Sequence, residues 1–167
     1  MVSGHRGFTL IEMLVVITIV GILIGGAALS LGLLGRDTGI QTDLQRLQRQ
    51  LLFARDRAEI EQRPYGVLIE PEGYRFVTFD SRAMQWQETR ESGLDRETLN
   101  KGLTVELDVD GRKIVIDARK GEPAPQIGID PSGEFTAFEL RLRRDGTSES
   151  GWLRPDINGS VEWGLQP

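Results

Sequence analysis

From Met13 to Leu34 the chain runs for 22 residues, MLVVITIVGILIGGAALSLGLL, without a charged side chain. As an α-helix at 1.5 Å per residue this stretch is about 33 Å long, enough to cross the ~30 Å hydrocarbon core of a bilayer. A helix that is apolar on every side has no face to offer water, so it belongs in a membrane or among other chains. The competing reading is a conventional signal peptide, cut after the small-x-small stretch Ala28-Leu29-Ser30, which leaves a secreted soluble binding protein. Signal peptides carry an apolar region of about 7 to 15 residues, whereas here apolar character starts at Phe8 and continues well beyond that length. Glu12, near its start, fits that reading poorly.

Glu12 is flanked by Leu10, Ile11, Met13 and Leu14. A carboxylate drawn toward hydrocarbon costs several kcal/mol, on the order of 3, unless a cation pairs with it or it stays at the hydrated headgroup level. Gly21, Gly25, Ala28 and Gly32 recur at spacings that share one helical face, and Gly21 with Gly25 forms a small-xxx-small pair. That face suits close helix contact, although membrane helices are rich in glycine in any case. His5 and Arg6 precede the span and the acidic bulk follows it, which orients the N-terminus toward the cytoplasm and the body outward.

Gly35-Arg36-Asp37-Thr38-Gly39 ends the apolar run with two glycines and two N-cap residue types, and predicts a helix that loosens or restarts there. Beyond it Ile40, Leu44, Leu47, Leu51, Ala54 and Ala58 form one apolar stripe on a helix over about 38–62, with Arg46, Arg49, Arg55, Arg57 and Glu59 largely on solvated faces. A stripe this narrow suits a helix lying across a sheet. After Arg63-Pro64 the pattern turns to short strands. They are expected at Tyr65–Ile69, Tyr74–Phe79, Met84–Gln87, Leu103–Val109, Lys113–Ile116, Gln126–Ile129 and Phe135–Arg143, with shorter pieces near Trp152 and Trp163. Residues 88–102, ETRESGLDRETLNKG, read as a polar loop with a short helix at 94–100, either a contact surface or a solvated connection.

Arg6 and Glu12 are the only charged side chains before residue 35, so the formal net charge of −5 rests on the body of the protein. Phosphate-backbone binding relies on a basic field, and this balance argues against a nucleic-acid partner. The chain has no cysteine, and its one histidine is His5, so a thiolate metal site and an imidazole in the folded body are both excluded. Asp108-Val109-Asp110-Gly111 lacks the further ligands of a calcium loop and reads as a hairpin turn. Asp130-Pro131-Ser132-Gly133-Glu134 has no base to activate its serine and also reads as a turn. Arg141, Arg143 and Arg144 form the densest basic cluster, with Arg141 and Arg143 on the strand face opposite Phe138, Leu140 and Leu142: a solvated face or an inter-subunit salt-bridge patch. Neither a catalytic site nor a cofactor or metal site emerges.

Arg6-Gly7-Phe8-Thr9-Leu10-Ile11-Glu12, leading straight into a membrane-length helix, resembles the processing motif of type IV pilins and type II secretion pseudopilins. The resemblance implies cleavage by a prepilin peptidase between Gly7 and Phe8, N-methylation of Phe8, and Glu12 as the fifth mature residue. The parts are then a leader at 1–7, a transmembrane and filament-core helix at 8–34, and a periplasmic domain at 35–167 that is β-rich from 65. Glu72-Gly73-Tyr74-Arg75-Phe76 and the run from Ile129 to Leu140 resemble segments of the H-type minor pseudopilin of type II secretion systems. Residues 6–34, 65–79 and 127–142 carry the likeness, and 80–125 match no pattern.

Membership of that family implies an α+β fold, a long N-terminal helix packed on an antiparallel two-sheet β domain. It implies a single-pass inner-membrane subunit with its C-terminal domain in the periplasm, later part of the pseudopilus near its tip, that helps initiate assembly and drive export of folded proteins through the outer membrane. The implied partners are the I, J and K type minor pseudopilins, the major pseudopilin, the prepilin peptidase and the inner-membrane assembly platform. A minor pilin of a type IV pilus, serving assembly or DNA uptake, is the nearest alternative. DNA binding favours a basic tail, and the tail from Val161 to Pro167 has one acidic and no basic residue.

Overall fold

In the computed structural model, residues 10–117 and 124–166 are described, with the side chains of 23–38 outside the description. Helix α1 runs from Leu10 to Glu61. Backbone contacts divide the chain into one unit up to Thr38 and a second from Gly39 onward.

The interruption expected at Gly35–Gly39 is absent, since α1 is helical throughout this stretch. Glycine inside a helix costs about 1 kcal/mol relative to alanine, which is less than tertiary packing of the following turns contributes. Ile40 and Leu44, immediately beyond, are 2 % and 0 % exposed. At its other end α1 stops where Gln62 takes a left-handed φ of 51° and the Arg63 amide donates to the Ala58 carbonyl, 3.2 Å away. That is the six-to-one bond of a Schellman cap, and Pro64 prevents continuation.

The second unit contains two antiparallel sheets. In the first, β1 (Tyr65–Glu70) lies between β2 (Gly73–Asp80) and β7 (Ile127–Ile129), while β3 (Gln85–Glu88) and the short β4 (Glu97–Thr98) both pair with the far side of β2. In the second, the order is β10 (Val161–Gln166), β9 (Ser150–Pro155), β8 (Phe138–Arg144), β5 (Leu103–Val109) and β6 (Arg112–Ile114). The stripe from Ile40 to Ala58 is wholly buried and shares one core with Tyr65, Val67 and Phe76 of the first sheet and Leu107, Leu140 and Leu153 of the second. Register on the second sheet puts Glu106, Arg141, Trp152 and Gly164 in one cross-strand row. Arg141 and Arg143 stand exposed, whereas Leu140 and Leu142 are buried, as the alternation requires.

Three expected elements differ. The run Phe135–Arg143 is not one strand: Phe135 bridges to Ile129 of the first sheet, and β8 of the second begins only at Phe138. One alternating segment therefore serves both sheets, which composition does not reveal. The helix expected at 94–100 does not form. Leu94 and Leu99 are 2 % and 9 % exposed, β4 pairs with Gly73 and Tyr74, and the Leu99 amide donates to the Glu72 carbonyl. Tertiary pairing holds this stretch extended against its local preference. Strand β6 also ends at Ile114, two residues short of the expected limit, and Val115 is 88 % exposed.

Candidate functional site

Residues Leu10 to Ile22 open α1 with apolar side chains on every side, all exposed. Leu10, Ile11, Met13, Leu14, Val15, Val16, Ile17, Ile19, Val20 and Ile22 are between 46 % and 90 % exposed. Full burial of such a side chain contributes about 1.5 to 3 kcal/mol, so covering the set is worth on the order of 10 to 20 kcal/mol, comparable with the net stability of a whole domain. A surface of this kind is matched to a bilayer or to other helices. The Thr18 hydroxyl donates to the Leu14 carbonyl at 2.8 Å, so that polar group is satisfied within the helix. Among the described residues no helix is long and apolar enough to cross a membrane. The second half of the Met13–Leu34 run has its side chains outside them.

Glu12 is exposed in the first turn, where the positive end of the helix dipole favours a carboxylate. Gly7 and Phe8 lie outside the described residues. Gly25, Ala28 and Gly32 fall on helical backbone, but their surroundings are likewise outside the description. Gly21 is within it, and a Cβ built there meets nothing within 4 Å. Its small size is therefore not demanded by packing inside this chain.

The two stretches weighed for chemistry are turns. Asp110 and Gly111, with φ of 50° and 74°, join β5 to β6 as a two-residue hairpin. Asp130 accepts the Ser132 backbone N–H at 3.0 Å, and this bond draws its carboxyl pKa below the ordinary range. Arg141 and Arg143 pair with Glu139 and Glu106 at 2.5 and 3.4 Å on the outer face of the second sheet, and Arg154 pairs with Glu139 while covering the Trp152 ring at 4.6 Å.

A polar network along α1 was not legible in advance. Asp43, 1 % exposed, accepts Arg46 Nη2 at 2.7 Å and the Asn100 backbone N–H at 2.8 Å. Arg46 also donates to Glu97 at 2.6 Å, and Gln50 accepts the Tyr74 hydroxyl at 2.7 Å. Burial, reinforced by Glu97, pushes the Tyr74 hydroxyl pKa up. The available signal was an acid three residues after Ile40, at the margin of an apolar stripe, with two leucines isolated in the polar 88–102 segment.

Comparison with known proteins gives consistent results. A family model described as the prokaryotic N-terminal methylation motif matches residues 2–28, and one described as type II transport protein GspH matches residues 43–159. Type II secretion system protein H of Pseudomonas aeruginosa is 32 % identical over 150 residues, covering 86 % of this chain and 86 % of that one. Its counterpart in Pectobacterium carotovorum is 30 % identical, covering 93 % and 90 %. The crystal structure of a minor pseudopilin from the type II secretion system of Vibrio cholerae superposes with a TM-score of 0.63 at 23 % identity, over 76 % of this chain and 93 % of that one.

Proposed function

We propose, for a chain that belongs to the type II transport protein GspH family and is a minor pseudopilin of the type II secretion system, that α1 is both its membrane anchor and its means of joining the pseudopilus. The observation that carries this reading is the all-round apolar exposure of Leu10 to Ile22. The family is a structural subunit of secretion machinery, and an interaction role agrees with the absence of a folded-domain histidine or cysteine.

In this reading residues 1–7 are removed by a prepilin peptidase, Phe8 becomes the methylated N-terminus, and 8–34 hold the subunit in the inner membrane with 35–167 in the periplasm. The subunit then works near the pseudopilus tip, beside other minor pseudopilins and above the major one, and helps initiate assembly at the inner-membrane platform. Cleavage after Gly7 creates an ammonium group at Phe8 that can neutralise Glu12 of an adjacent subunit as helices pack side by side. In low dielectric such pairing selects register.

Mass spectrometry of the mature protein tests the processing step. An N-terminal peptide starting at methylated Phe8 is the expected result, and one starting at Leu31 overturns the reading in favour of conventional secretion.

The open space beside Gly21 supports its use in helix contact. Gly21→Ile is expected to leave membrane insertion and the melting temperature of the periplasmic domain unchanged, while lowering helix-mediated cross-linking to other pseudopilins severalfold. Unchanged cross-linking returns Gly21 to an ordinary membrane-helix glycine.

A further inference from the structure

Strands β9 and β10 are joined by Asp156-Ile157-Asn158-Gly159-Ser160. The Gly159 amide donates to the Asp156 carbonyl at 3.0 Å, and the Asp156 amide to the Ser160 carbonyl at 2.7 Å. With Gly159 at a φ of 77°, this is a tight turn closed by a glycine in the left-handed region. It is held to α1, since Arg55 Nη1 donates to the Gly159 carbonyl at 2.6 Å. Ile157, at the tip, is 98 % exposed, and Asn158 is exposed beside it. The turn Asp130-Pro131-Ser132-Gly133-Glu134 has the same two backbone bonds, both at 2.8 Å, and a φ of 84° at Gly133. Ser132 stands there in the place of Asn158, so a turn of this build does not require an asparagine.

Asparagine is a thermolabile residue, and the residue that follows it decides how readily it reacts. The next backbone nitrogen can attack the side-chain carboxamide, and glycine, having no Cβ, leaves that approach open. In this step Gly159 N bonds to Asn158 Cγ as the Cγ–Nδ2 bond breaks, and the proton of the attacking nitrogen departs with the amide as ammonia. Water then opens the cyclic imide at Cγ, giving Asp, or at the main-chain carbonyl carbon, giving an isoAsp whose backbone is one atom longer. In the folded turn Asn158 Nδ2 donates to Asp156 Oδ2 at 2.8 Å, while Asp156 Oδ1 accepts the Ile157 amide at 2.7 Å. The carboxamide must leave Asp156 before its carbon can meet Gly159 N, and Gly159 N must give up its bond to the Asp156 carbonyl. One residue therefore holds both reacting groups.

We propose that Asn158 is a site of spontaneous deamidation through a cyclic imide in the folded chain, and that Asp156 is the positioning residue that restrains it. The other asparagine of the chain, Asn100, is followed by Lys101, where a Cβ crowds the attacking nitrogen, and its carboxamide donates to the Gly39 carbonyl at 3.3 Å. Conversion at 158 changes the hairpin. The isoAsp form lengthens the backbone between Asp156 and Ser160, so the turn no longer fits the two bonds that close it, and the hold of Arg55 on the Gly159 carbonyl loosens. Either product also places a second carboxylate beside Asp156 and removes the N–H that Asp156 accepted, which leaves two like charges at close range.

The test incubates the purified full-length protein in detergent at neutral pH, digests it in acid, and follows the peptides containing residues 158 and 100 by chromatography and mass spectrometry. A mixture of Asp and isoAsp at 158, forming severalfold faster than any change at Asn100, is the expected result. No conversion, conversion no faster than at Asn100, or Asp without isoAsp overturns the site. Asp156→Ala is expected to raise the rate at 158 severalfold, the effect of losing a hydrogen bond to a charged group. Asp156→Ser, which keeps an acceptor for the Ile157 amide, takes its place if the first variant does not fold. An unchanged rate, or an increase shared by Asn100, overturns the restraining role. Asn158→Ser, which copies the other turn, is expected to melt like the native chain and to show no conversion. After incubation, amide exchange at Asp156 and Gly159 should be faster in the native chain and unaltered in Asn158→Ser. Equal acceleration in both overturns the consequence drawn for the hairpin.

Discussion

Glu12→Ala is expected to be cleaved after Gly7 and inserted in the membrane like the native chain, yet to reach the pseudopilus at a level reduced tenfold or more. The proposed processing step involves the leader and the Gly7-Phe8 junction, neither of which the substitution alters. Incorporation is different, because in the proposed assembly step the first turns of α1 leave lipid and come into contact with other helices. A carboxylate and an ammonium brought together there attract strongly, and removing one partner of a desolvated pair costs about 3 to 5 kcal/mol. Alanine leaves the Phe8 ammonium of the neighbour without its partner, so the loss is greater than that of one hydrogen bond. Glu12→Gln keeps the size and the hydrogen-bonding capacity and removes only the charge, so it separates electrostatics from packing. The measurement is the ratio of subunit in the sheared or co-purified filament fraction to subunit in the membrane fraction. Native ratios for both variants would show that Glu12 has no part in register.

How far the sequence foretold the structure depended on whether a residue's role was local. The stripe from Ile40 to Ala58 was readable because a helix repeats its buried face every three or four residues, and all six positions are buried. Strands β1, β2 and β5 were likewise readable from their length, alternation and the turn residues between them. The switch of sheet between Phe135 and Phe138 was not, since both residues obey the same alternation and only their partners differ. Residues 94–100 misled for a related reason. Their composition permits a helix, but Glu97 and Asn100 are bonded to α1 residues roughly fifty positions away. The processing motif is a third case. It was recognisable as a pattern because it is a short linear segment that needs no fold to identify it, and the N-terminal methylation motif model matches residues 2–28.

Gly151→Val is expected to disrupt the two-sheet domain without touching the apolar start of α1. Gly151 lies in β9 beneath α1, and a Cβ there would come within 2.6 Å of Leu44 Cδ1 and 2.8 Å of Ile40 Cγ2. Those side chains are 0 % and 2 % exposed and have no free space to retreat into. On the other side the same Cβ meets the Gly164 carbonyl oxygen of β10 at 3.1 Å, so the strand cannot simply shift away from the helix. Overpacking a core costs typically about 1 to 3 kcal/mol, and here valine brings two methyl groups beyond a Cβ that already clashes, which places the loss at the upper end of that range. Against a net domain stability of about 5 to 15 kcal/mol, thermal denaturation of the purified protein should show a fall in melting temperature of roughly 10 °C or more for a domain of this size. Gly151→Ala should show a smaller fall. If Gly151→Val melts like the native chain, α1 does not sit on β9 as closely as described, and the burial of Ile40 and Leu44 must come from another surface.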